Sequence, residues 1–170
     1  CRAECDLTGI WRNARDDDQD WLVRQGLTPT TGTGPSGDFF GQGKYLYLEA
    51  SGSTCPLRTR AVLNSGCFRF SKGGSDTCHL AFAYHLFGAE TGSLALEATN
   101  DGGANWSELW SVAGNQGNQW KKVYLSLSRF AEGDVLQFRF IGTKGDGSLS
   151  DIALDEITVY GSTYLGQRDN

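Results

Sequence analysis

The sequence lacks methionine altogether and has only three prolines and two histidines among its 170 residues. Because the first residue is Cys1 and no initiator methionine is present, we expect a processed chain or a piece of a larger protein. No apolar run approaches the ~20 residues of a membrane-spanning helix, and no signal peptide is recognisable, so membrane insertion by this segment is not expected. The cysteines form no CxxC pair, which argues against a zinc ribbon or a thioredoxin-like site.

Positive charge is also scarce. The formal net charge is −5 and the isoelectric point is about 4.9. Nucleic acids and anionic membranes both require a basic surface, so neither is expected as the main partner. An acidic chain permits calcium binding but does not by itself indicate it.

Glycine and aromatic residues, in contrast, are abundant, with 23 glycines and 12 % aromatic residues. Apolar residues alternate with a period of two in short segments separated by glycine-rich turns, and no segment shows a convincing amphipathic helix. In "KYLYLEAS", Leu46 and Leu48 share one face of a strand, and in "CHLAFAYHLFG" the stripe runs from Leu80 to Leu86. This pattern predicts one all-β domain built as a sandwich.

The segment "SDIALDEITVYG" contains a break in this alternation. Ile152 and Leu154 are out of phase with Ile157 and Val159, so the chain must slip by one residue between the two pairs. The slip falls at Asp155 and Glu156, which predicts that one of these carboxylates turns toward the interior. A buried carboxylate is costly unless it is paired or bound to a cation.

Five cysteines are present, at positions 1, 5, 55, 67 and 78. Cys67 and Cys78 bracket the loop-like stretch "FRFSKGGSDT", and we predict a disulfide between them, given the oxidising context that this spacing suggests. The odd count leaves one cysteine over, or pairs it outside this chain, and the sequence does not say which of Cys1, Cys5 and Cys55 it is.

Several motifs point to chemistry that their surroundings do not support. "GTGPSG" fits a dinucleotide fingerprint, but no strand precedes it and no helix follows it. "DDDQDW" resembles a calcium loop, yet its twelfth position is Leu27, so we interpret it as a solvated acidic turn anchored by Trp21. His79 and His85 are predicted on a solvated strand face. With no nucleophile motif present, an enzyme is not expected.

Two short motifs bear on the surface. Asn105-Trp106-Ser107 is an N-glycosylation sequon in a predicted hairpin loop. Lys144-Gly145-Asp146 is similar to short adhesive tripeptides, but three-residue matches arise by chance, so we interpret it as an exposed turn.

Nine stretches in order resemble the MAM domain, a module of secreted and cell-surface proteins. They are "CDLTGIW", "DDDQDW", "TPTTGTGPSGD", "GKYLYLEAS", "CHLAFAYHLFG", "GSLALEA", "LWSVAGNQGNQWKKVYLSL", "LQFRFIGT" and "SDIALDEITV". The resemblance implies a jelly-roll β-sandwich of two antiparallel sheets over residues 1–163, with residues 164–170 as a tail or linker. It departs from the family at Ile10, where a cysteine is usual, and at Thr8, where an acidic residue is usual.

The resemblance also implies a cation site. In MAM domains and related carbohydrate-binding jelly rolls, the acidic pair near the last strand often helps hold calcium or sodium. Asp155, Asp38 and Asp6 are the expected ligands of a structural calcium. The alternative is that Asp155 caps backbone N–H groups at a bulge while Glu156 faces water.

For function, the resemblance implies an extracellular, non-catalytic module that contacts a protein partner, including by self-association. The rival interpretation is a carbohydrate-binding jelly roll that stacks sugars on exposed aromatic rings. The candidate rings are Trp106, Trp110, Trp120, Tyr45 and Tyr47. The two interpretations differ in whether two or more of these rings line one exposed groove.

Overall fold

A computed structural model of the chain describes residues 10–51, 58–70 and 78–166. Within these ranges it contains eleven β-strands and no helix. The strands are β1 Trp11–Asn13, β2 Leu22–Arg24, β3 Tyr45–Leu48, β4 Arg60–Phe70, β5 His79–Leu86, β6 Ser93–Thr99, β7 Ser107–Ala113, β8 Lys121–Ser126, β9 Val135–Thr143, β10 Ile152–Tyr160 and β11 Ser162–Gly166.

The strands form two antiparallel sheets. Sheet A has the order β1-β4-β9-β6-β7, with β11 also paired to β4, and sheet B has the order β2-β3-β10-β5-β8. Apart from the consecutive pairs β2-β3 and β6-β7, neighbouring strands in each sheet are not consecutive in sequence, as is usual when a chain crosses repeatedly between the layers of a jelly roll. The predicted all-β jelly-roll sandwich is confirmed.

The core lies between the sheets and is rich in aromatic and leucine side chains. Phe82 from sheet B contacts Phe140 from sheet A with ring centroids 4.9 Å apart. Trp21, which follows the acidic turn, is fully buried, and its indole N–H donates to the carbonyl of Ala61. Burying large side chains of this kind contributes roughly 1.5–3 kcal/mol each, so the alternating residues hold the two layers together.

The acidic turn is more than a solvated loop. The carboxylate of Asp17 accepts the backbone N–H of Val62 at 2.6 Å, and that of Asp18 accepts the N–H of Arg60 at 2.9 Å. Two of the acidic side chains therefore hydrogen-bond to the exposed edge of β4, where the short β1 has already ended. The anchoring role predicted for Trp21 is confirmed, whereas the fully solvated turn is not.

β4 is longer than its sequence pattern indicates. The stretch "FRFSKGGSDT" was expected to be loop-like, but its first residues, Phe68–Phe70, belong to β4. The register between β4 and β9 shifts between Asn64 and Cys67, which hides the alternation, and β11 pairs with the extended end of β4. The expected boundary after residue 163 falls inside β11, and residues 167–170 lie outside the described residues.

Candidate binding surfaces and buried polar sites

The phase break in β10 is a β-bulge. The register between β10 and β5 shifts between Asp155 and Thr158, and Glu156 has a left-handed φ of 52°. Ile152 and Leu154 are fully buried before the bulge, and Ile157 and Val159 pack against the same core after it. The predicted slip is confirmed.

Asp155 caps this bulge. One carboxylate oxygen accepts the N–H of Phe39 at 2.8 Å, and the other accepts the N–H of Glu156 at 2.8 Å. Phe39 belongs to the loop before β3, so the side chain links the bulge to a segment 116 residues away. These contacts agree with the capping alternative.

The same region was expected to hold calcium. Asp38 precedes Phe39, and its Oδ1 is buried without a hydrogen-bond partner, which is the kind of oxygen that a cation would satisfy. Asp6 lies outside the described residues. Among the residues that are described, no group of three or more His, Cys, Asp or Glu side chains is arranged to hold a metal ion.

A second buried carboxylate was not singled out by the sequence. Asp151, immediately before β10, is 0 % exposed, and one of its oxygens accepts the N–H of Ala50. Burial raises the pKa of Asp151 to about 6, and the nearby Glu49 carboxylate also raises it. The hydrogen bonds from Ala50 and Thr28 and the positive charge of Lys144 lower this pKa in part. The residue precedes the alternating run, so period-two analysis gave no signal for it.

His85 is buried, which corrects the expectation of a solvated face for both histidines. The ring is 2 % exposed and packs against Trp120 and Phe87, with Nε2 at 3.1 Å from the Asn118 side-chain oxygen. Burial lowers the pKa of His85 to about 4, and the contact with Asn118 partly offsets this effect. The loop carrying Trp120 covers one end of the strand face, which the sequence of β5 alone cannot reveal.

The other end of this outer face carries exposed aromatic rings, and we call it the aromatic face. It consists of Phe39, Phe40, Lys122, Tyr124, His79 and Tyr160. Phe40 is 71 % exposed and Tyr124 is 64 % exposed. The Lys122 ammonium lies 5.0 Å from the centre of the Phe39 ring and 5.8 Å from that of Tyr124, which fixes a cation within the aromatic row.

His79 and Tyr160 continue this row across the sheet. They are cross-strand partners, and their rings stack with centroids 4.2 Å apart and an interplanar angle of 22°. This stacking covers one face of each ring. The covered faces are not open for a sugar ring to pack on.

The five rings named as sugar platforms do not share a groove. Tyr45 and Tyr47 are buried, and their hydroxyl groups hydrogen-bond to Gly26 and Glu49. Trp110 packs against Phe82 and Tyr84 beside the core. Trp120 donates its indole N–H to the Gly37 carbonyl and lines a small pocket beside His85. Trp106 lines a different groove, on the outer face of sheet A.

The predicted disulfide is not present: in the described part of the chain, no bond joins Cys67 and Cys78. Cys78 belongs to the core, and its Sγ is 3.0 Å from the Gly161 carbonyl oxygen. Cys67 immediately precedes the core residue Phe68 in β4, so alternation directs its side chain to the opposite face of sheet A. Cys1, Cys5 and Cys55 lie outside the described residues.

The two surface motifs differ in accessibility. Asn105 is exposed in the β6–β7 turn, where its amide donates to Asp101 at 2.7 Å, and its glycosylation stays a prediction. In the tripeptide 144–146, Asp146 pairs with Arg58 at 2.8 Å, but Lys144 is buried. The expectation of an exposed turn is therefore wrong for Lys144, whose ammonium contributes to the electrostatics around Asp151.

The fold defines the chain as a β-sandwich domain. The family model of the MAM domain (meprin/A5/mu) matches residues 1–163, and the chain belongs to this family. It is 33 % identical over 150 residues to human MAM domain-containing glycosylphosphatidylinositol anchor protein 1, covering 84 % of this chain and 15 % of that protein. It is 31 % identical over 156 residues to neuropilin-1 of Xenopus laevis, covering 88 % of this chain and 15 % of that protein.

Similar solved structures include the K1 cleaved adhesin domain of Lys-gingipain from Porphyromonas gingivalis W83. The TM-score is 0.61 at 17 % identity, and the match covers 89 % of this chain and 90 % of that chain. A non-crystalline cellulose-specific carbohydrate-binding module matches with a TM-score of 0.52 at 11 % identity, covering 91 % of both chains. At such identities the likeness establishes the fold alone. Among the described residues, no helix is long and apolar enough to cross a membrane.

Proposed function

We propose that this domain is an extracellular, non-catalytic module that binds a protein partner through the aromatic face of sheet B. Membership of the MAM family supports this function, as do relatives whose names place them at a lipid anchor or among neuropilins. The observation that carries the proposal is the contiguous row of rings in which Phe40, Tyr124 and Tyr160 are exposed, since exposed apolar patches mark interaction sites.

The chemistry of this face also indicates the partner. Phe40 and Tyr124 are rigid aromatic anchors, and Lys122, which contacts Tyr124, is a cation in a chain of net charge −5. Interface hot spots combine such anchors with a few charged groups at the centre of the contact. A partner that fits presents apolar side chains around a carboxylate, and a second copy of this acidic chain is one candidate.

Self-association can be tested with beads coated with the domain. We expect wild-type beads to cluster and Tyr124→Ser beads to cluster at least tenfold less, because removing an aromatic anchor at a hot spot costs about 2 kcal/mol or more, which is about thirtyfold in affinity. Leu165→Ser is the matched control, since Leu165 is also exposed but lies in β11 of sheet A.

If wild-type beads stay dispersed, self-association is wrong, and the same beads are then tested for binding to cultured cells. Binding that Tyr124→Ser reduces and Leu165→Ser does not would support a heterologous partner at the aromatic face. If neither clustering nor cell binding depends on Tyr124, the proposal is wrong.

A structural calcium near the bulge is a further part of this proposal. The unpartnered buried oxygen of Asp38 supports it, and Asp38 and Asp155 would hold the ion. Calcium requires six to eight oxygen ligands, so backbone carbonyls or residues outside the described ranges, such as Asp6, would complete the set. The ion would stabilise the loop before β3 and take no part in chemistry.

A further inference from the structure

Sheet A carries a groove on its outer face that is separate from the aromatic face. Its volume is about 560 Å³, within the range of about 300–1,000 Å³ that is typical of ligand sites. The acidic turn Asp16–Asp18 forms one wall, and Trp106 with Gly102 and Gly103 forms the other. Asn64 of β4 and Gln137 of β9 supply side chains between the two walls.

Most of the charges in this groove are already neutralised or hydrogen-bonded. Asp17 and Asp18 accept N–H groups of β4, and Arg139 pairs with Glu97 at 2.6 Å. Accepting neutral N–H groups leaves Asp17 and Asp18 negatively charged, so a polyanion would meet three carboxylates on one wall.

Hydrogen-bonding capacity, in contrast, remains available. Gln137 donates to the Ser65 carbonyl through Nε2 and keeps its side-chain oxygen as an acceptor. Within the ranges that the structure describes, neither the Asn64 amide nor the Arg60 guanidinium bonds to another side chain. An apolar occupant would strip water from these groups without replacing the lost hydrogen bonds.

Trp106 forms a rigid apolar wall. The Arg139 guanidinium lies 4.1 Å from the centre of the indole, and Glu97 holds that guanidinium in place. A Cβ at Gly103 would approach the indole to 3.9 Å, so the glycine, which has a left-handed φ of 93°, leaves that part of the ring uncovered.

We propose that this groove binds a neutral oligosaccharide. Hydroxyl groups both donate and accept, so one sugar can satisfy an amide, a carboxylate and a guanidinium together. The less polar face of a sugar ring can pack against the uncovered part of the indole. This inference does not depend on the protein contact proposed for sheet B.

The test is a titration of the isotope-labelled domain with neutral tetrasaccharides of cellulose, galactan and chitin, and with a heparin tetrasaccharide as the anionic comparison. We expect at least one neutral sugar, at millimolar concentration, to shift the indole N–H resonance of Trp106, and heparin to have no effect. Trp106→Ala and Asn64→Ala should each weaken binding about tenfold or more, with unchanged melting temperature for Asn64→Ala. Tyr124→Ala, on the other sheet, should bind as the wild type does.

The proposal is overturned if no neutral sugar shifts resonances of groove residues, or if heparin alone does so. It is also overturned if Asn64→Ala, folded as judged by its melt, binds as tightly as the wild type. Binding that Tyr124→Ala weakens while Asn64→Ala leaves it intact would place the sugar on sheet B and contradict the proposal.

Discussion

Replacing Asp155 with alanine is expected to lower the free energy of unfolding by about 2–5 kcal/mol, because two backbone donors lose their acceptor at once. Phe39 N–H and Glu156 N–H both bond to this carboxylate, and a buried donor left without a partner costs about 1–3 kcal/mol. Thermal and urea unfolding in chelator measure the effect. Glu156→Gln is the matched control, since it removes the adjacent charge and leaves both caps in place.

The same variants also test the calcium proposal. If a cation lies between Asp38 and Asp155, the wild type should melt at a higher temperature in calcium than in chelator, and Asp155→Ala should lose that difference. Equal wild-type melts in both solutions would show that the calcium prediction is wrong while leaving the capping role intact. If Glu156→Gln destabilises as much as Asp155→Ala does, the capping role is wrong.

Asp151 and His85 are expected to give the stability of the domain two opposing dependences on pH. The folded-state pKa of Asp151 is raised to about 6, so its contribution to the free energy of unfolding falls as pH rises from about 4 to about 6. The folded-state pKa of His85 is lowered to about 4, so its contribution to the free energy of unfolding falls as pH decreases from about 6.5 to about 4. Each shift corresponds to roughly 3 kcal/mol, and the two slopes nearly cancel in the wild type.

Single variants should separate these slopes. Asp151→Asn retains an acceptor for Ala50 N–H and removes only the carboxyl titration, so relative to the wild type it should gain stability as pH rises from 4 to 6. His85→Gln should show the opposite trend and lose stability relative to the wild type over that rise. Urea unfolding at several pH values measures both differences. Parallel curves for wild type and variant would contradict the assignment for that residue.

The β10 segment shows how far alternation can be used. The bulge was located by a break in alternation between the pair Ile152 and Leu154 and the pair Ile157 and Val159. Successive side chains along a strand point to opposite faces, so a change of phase marks an inserted residue. Alternation could not decide whether Asp155 binds a cation or caps backbone N–H groups. Its partner Phe39 lies 116 residues away, and only the packing of the loop against β10 brings that N–H within 2.8 Å.

Strand β5 shows what alternation cannot predict. Its alternation correctly assigned Leu80, Phe82, Tyr84 and Leu86 to the core. It predicted a solvated opposite face, but the loop with Trp120 buries His85, while His79 at the other end joins the aromatic face. Whether a strand face meets solvent depends on which distant loop covers it, and residue spacing within the strand carries no such information.

The sequence by itself determined the all-β class, the family and the position of the bulge, because alternation and motif order are local properties of the chain. The tertiary structure alone decided which polar groups are buried together and which rings are left outside. It buried Asp151, directed Cys67 and Cys78 to different faces, and assembled the aromatic face and the sheet A groove from separate strands. These arrangements depend on contacts between residues far apart in the chain, and such contacts exist only after the two sheets have packed.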